Sequence, residues 1–128
     1  MIHRVHSTKP IDAIGEGLAA AAARHSFGVI AVHDLKATLE KKGVGLGMEC
    51  RVFEVCNPVQ ARRVLETDGA VSTALPCRIS VYGQPGDYTL ATLLPGEMMK
   101  AFGRPELEPV AAEVETVLKA MMEEAAVS

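Results

Sequence analysis

The stretch Arg51-Val52-Phe53-Glu54-Val55-Cys56-Asn57-Pro58 constrains the fold most. A strand pattern, starting at Met48, runs straight into Asn57, a helix-capping residue. Pro58 then suits a first helical turn and gives no N–H to a sheet ladder. Gln60 stands at the capping-box position. The strand therefore ends at Cys56, and the helix starts at once. Along the strand Met48, Cys50, Val52, Glu54 and Cys56 share one face, with Phe53 and Val55 on the other. Neither face is cleanly apolar, which puts at least one end at a sheet edge or near solvent.

A second constraint is a hairpin. Cys77–Tyr82 alternates strictly, with Cys77, Ile79 and Val81 inward. Gly83–Asp87 reads as a turn of about five residues, and Tyr88–Leu94 returns as an antiparallel partner. Upstream, Ile2–Ser7 is a short strand, and Ser7-Thr8-Lys9-Pro10 reads as a helix entry, a hydroxyl before proline. Ile11, Ile14, Leu18, Ala21 and Ala22 then form one helical face. Gly15 and Gly17 weaken that helix by about 1 kcal/mol each, which implies a close backbone contact there.

Phe27–His33 is apolar on both parities and reads as a covered central strand. Asp34 caps a short helix, Leu35–Lys42, and Gly43 ends it in the left-handed conformation. Val44–Gly47 is a connector. Its alternate glycines make no phosphate loop, because no strand leads in and no Lys-Ser/Thr follows. In the helix after Pro58, Ala61, Val64 and Leu65 face inward, and Asp68-Gly69 ends it. Val71–Leu75 reads as a linker, and Glu97–Phe102 as one or two helical turns. Leu107, Val110, Val114, Val117, Leu118 and Met121 form the stripe of a last helix. The order β-α-β-α-β-α-β-β-α predicts an α+β two-layer sandwich, a mostly antiparallel sheet with helices packed on one face. The uncovered sheet face is a natural partner surface, so a homodimer is expected.

Composition sets limits. With 128 residues and 48% hydrophobic content the chain makes one domain, residues 1–128. A net charge of −3, no basic patch and only 4% aromatics exclude general nucleic-acid binding. No apolar run reaches the roughly 18 residues of a membrane span, and the first residues lack a signal-peptide core. Three cysteines without a CxxC fit a reducing compartment, so the expected location is cytoplasmic.

The candidate site residues are Cys56, Asn57, Cys77, Arg78, His33 and Asp34. Cys56, one residue before the helix cap, lies near the helix's free N–H groups, a placement that can lower a thiol pKa. The alternative is a small buried hydrophobe. Cys77 matters if its strand neighbours the one ending at Cys56. Two adjacent thiols suit a soft metal, with Cys56 and Cys77 as ligands, or redox and sulfur transfer, with Cys56 attacking and Cys77 resolving. Cys50 is about 20 Å from Cys56 along the strand and cannot pair with it. His33 is a proton shuttle or an edge side chain, Asp34 a ligand or a helix cap. Arg78 holds an anionic ligand or pairs with Glu54.

Phe27-Gly28-Val29, then Asp34 with Leu35-Lys36-Ala37-Thr38-Leu39, then Cys56-Asn57-Pro58, then Leu75-Pro76-Cys77-Arg78 before a hairpin, resemble the DUF302 family over about residues 5–120. The resemblance implies a β-α-β(4)-α core with extra short helices, like the TATA-binding-protein repeat. It also implies a homodimer for at least some members, and no accepted reaction. Two departures stand out. The family's Asp-Pro after the last strand is Leu94-Pro95 here, so no role for that acid carries over, and the glycine-spaced connector before Met48 is looser.

Two functions stay open. The first is a non-catalytic homodimeric domain that binds a small ligand or protein partner near Cys56, Asn57 and Cys77. The second is thiol-based redox, sulfur-transfer or soft-metal chemistry through Cys56 and Cys77.

Overall fold

The computed structural model describes Met1–Val127. Strands β1 (Ile2–Ser7), β2 (Gly28–Asp34), β3 (Glu49–Cys56), β4 (Cys77–Gln84) and β5 (Asp87–Leu93) form one sheet in the order β1-β5-β4-β3-β2. Every neighbouring pair is antiparallel. The helices are α1 (Ile11–Arg24), α2 (Leu35–Lys41), α3 (Pro58–Thr67), α4 (Pro95–Met99) and α5 (Glu108–Ala126). The α+β sandwich is as the sequence predicts. Phe53, Val55, Ile79, Val81 and Leu90 project from one sheet face into a core with α1 and α5.

The two helical glycines are explained by this packing. A Cβ on Gly15 would stand 3.1 Å from the Phe53 ring, and one on Gly17 would stand 3.2 Å from Ala125 Cα. Further along, Glu124 receives His25 at 2.6 Å and Arg24 at 2.9 Å, which hold its carboxyl below the usual range and tie α1 to α5. Ser7 does not cap α1. It is buried and donates to the Ala126 carbonyl at 2.7 Å, fastening β1 to the end of α5, while Pro10 takes the cap position without a side-chain bond.

One strand changes place. Phe27–His33 reads as central, yet β2 is an edge strand, with Ile30 60% and Val32 51% exposed. β3, of which at least one end is expected at a sheet edge or near solvent, lies between β2 and β4. Its mixed faces have a simple cause: Phe53 and Val55 meet the helices, while Cys50, Val52 and Glu54 lie on the open face, opposite the core with α1 and α5.

The hairpin is also tighter than five residues. Gln84 pairs with Asp87, so only Pro85-Gly86 turns the chain. Pro followed by a glycine at φ +82° is the signature of a type II turn.

The Val71–Leu75 linker is replaced by a 3-10 helix, Gly69–Ala74. Asp68, which the sequence suggests as a terminator, caps it by accepting the Ala70 N–H at 2.9 Å. Val71 is thereby buried in a second, smaller core with Val64, Met99, Leu107, Val110 and Ala111, beyond the end of the sheet. No described helix is long and apolar enough to cross a membrane.

Candidate functional site

Between the main and the smaller core, packing is incomplete. A cavity of about 280 Å³ opens at the Cys56 end of the sheet. Val55 and Cys77 face each other in the β3–β4 register and form its floor. Ala61 and Val64 of α3, Leu75 and Pro76, Met99 of α4, and Val110 and Ala111 of α5 complete the walls. The helical pattern points Leu65 inward, but it lies at the cavity mouth and stays 38% exposed.

Three of the six candidates line this cavity: Cys56, Asn57 and Cys77. The two thiols are close enough for charge on Cys56 to disfavour ionisation of Cys77. Burial is the larger cause, and together they push the Cys77 thiol up to about 11, with Arg78 opposing. The helix N–H groups offered as activators of Cys56 are already engaged, because Asn57 Oδ1 accepts from Val59 at 3.1 Å and from Gln60 at 3.2 Å. The capping box is therefore half formed. Gln60 does not reach back but donates to Glu113 at 2.7 Å, tying α3 to α5.

An alkylation profile tests this electrostatic picture. Cys77 is expected to resist iodoacetamide at neutral pH and to gain reactivity only as pH approaches about 11. Because its folded value lies above the ordinary 9.0, its contribution to stability is complete below pH 9.0 and is lost as pH rises towards about 11.

The other candidates lie elsewhere. Asp34 is the helix cap, accepting the Ala37 N–H at 3.0 Å. His33 and Arg78 converge on Glu54 on the open sheet face, at 2.9 and 3.4 Å. The Glu54 carboxylate is only 15% exposed, and its pKa is lowered, chiefly by the His33 hydrogen bond. Its stabilisation is therefore present above about pH 4.5 and lost as pH falls below. Urea midpoints measured through that range are expected to fall less steeply in Glu54→Gln than in the wild type. Among the described residues no group of three or more His, Cys, Asp or Glu is assembled as a metal site.

The model of the domain of unknown function DUF302 matches residues 3–125. The chain belongs to the DUF302 family. The crystal structure of an uncharacterized conserved DUF302 protein from Bacillus stearothermophilus is similar throughout. It has 27% identity and a TM-score of 0.91, with 97% of each chain covered. No curated protein matches the chain.

In this DUF302 domain the proline of Leu94-Pro95 has a structural role. Pro95 is buried, opens α4 and lines the cavity. It also lines a second cavity of about 440 Å³, and the two share Pro76, Cys77 and Pro95. Sequence reasoning missed Ala61, Val64, Met99 and Ala111 as site residues. They carry no motif, and only the meeting of α3, α4 and α5 brings them together.

Proposed function

We propose that this DUF302 domain is a non-catalytic binding module, a homodimer that holds a small apolar molecule in the cavity lined by Cys56, Asn57 and Cys77. The observation that carries the reading is the cavity itself, about 280 Å³ with almost wholly apolar walls. Ligand sites are typically concave and apolar, of roughly 300–1,000 Å³ with a few polar groups at one side. Here the polar residues of the lining are Asn57, Gln60 and Ser72.

The test is calorimetric titration with decan-1-ol. One saturable site per chain is expected. No saturable heat, and no rise in melting temperature at high decan-1-ol, would rule the reading out.

The dimer part rests on the open sheet face. Ile2 and Leu93, paired across β1 and β5, are 44% and 49% exposed on that face. Glu54, Arg78, Arg4 and His6 give the sheet residues both signs of charge, so two copies can meet about a two-fold axis. Sedimentation equilibrium is expected to give a dimer that Val52→Arg splits. A monomeric wild type at micromolar concentration would remove this part alone.

A second reading, thiol chemistry, rests on Cys56 and Cys77 lining one cavity. It is separable by variants. Cys56→Ala and Cys77→Ala keep decan-1-ol binding in the binding-module reading, whereas a thiol-based activity would vanish in Cys56→Ala.

A further inference from the structure

The two cavities differ in chemistry. The first is apolar, whereas the second adds Arg78, Glu97, Thr73 and Thr92 to its lining. Pro76, Cys77 and Pro95 line both.

Arg78 is the cationic side chain in the second cavity's lining. Its Nε stands 3.4 Å from Glu54, and its terminal guanidinium nitrogens make no hydrogen bond among the described residues. Those nitrogens form a fork suited to a carboxylate. Two carboxylates stand nearby: Glu54, held by Arg78 Nε and His33, and Glu97, 3.4 Å from Lys100.

A cavity of about 280 Å³ has room for a medium-length alkyl tail.

The geometry points to one composite site for a medium-chain carboxylate, with the alkyl tail in the first cavity and the carboxylate on Arg78 in the second. This deepens the binding-module reading and rests on it.

Calorimetry with the intact protein compares decanoate with decan-1-ol, which has the same chain length and no charge. Decanoate is expected to bind at least tenfold tighter. Arg78→Gln is expected to bring decanoate down to the level of decan-1-ol and to leave decan-1-ol unchanged. Arg78 is 55% exposed, so the variant is expected to fold, and its melting temperature checks this. Decan-1-ol binding with no preference for decanoate, or a preference that survives Arg78→Gln, overturns the composite site while sparing the apolar cavity. Binding of neither molecule overturns both.

Discussion

Ala111→Phe is expected to weaken decan-1-ol binding more than a hundredfold while the domain stays folded. Ala111 is 3% exposed on α5, and its methyl lines the apolar cavity. A phenyl ring there occupies the space of several methylenes. Excluding about four of them removes ~3 kcal/mol at ~0.8 kcal/mol each, or more than two decades in affinity. The cavity accommodates the ring, so stability should fall by less than the roughly 1–3 kcal/mol of an overpacked core. Isothermal titration and a melting curve of the same sample read both quantities. Unchanged affinity in a folded Ala111→Phe variant would place the ligand elsewhere.

Gly83→Ala is expected to be the most damaging small change to the fold. Gly83 has φ +135°, and a Cβ there would collide with the Asp87 carbonyl oxygen across the hairpin. Backbone strain of roughly 1–3 kcal/mol adds to that clash, so a loss of about 3 kcal/mol or more is expected, on the order of a 10 °C fall in melting temperature. Gly86→Ala is the matched control. Gly86 has φ +82° but nothing within 4 Å of an added Cβ. Only the left-handed cost of roughly 1–2 kcal/mol applies there. Urea denaturation of both variants separates collision from conformation. Equal losses would mean that the hairpin closes differently from the register described.

Much of this architecture is written locally. Asp34 and Asn57 cap their helices because a short polar side chain before a helical run has few other uses. Gly15 and Gly17 betray a close contact through the very cost they impose on α1. The edge position of β2 is not legible, because an apolar strand reads alike whether a helix or a second molecule is to cover it. The 3-10 helix Gly69–Ala74 is hidden because one residue, Asp68, both ends α3 and caps the 3-10 turn after it. At the site, Cys56, Asn57 and Cys77 can be named because strand ends and caps mark themselves. The cavity beside them cannot. It exists because α3, α4 and α5 fail to fill the space between two cores, and no short motif encodes a volume. Glu54 is legible only as a partner of Arg78. That it also takes His33 depends on the β2–β3 register, which shifts at a bulge between Val29 and Ala31.

The most direct test of the binding-module account is a two-dimensional amide NMR titration of the wild-type domain with decan-1-ol. The account predicts saturable shifts at Val64, Leu75, Cys77 and Ala111, around the cavity, and none at Val52, Ser80 and Ala91 on the open sheet face. Shifts that never saturate, or that cluster on the sheet face and leave the cavity residues unmoved, would contradict it.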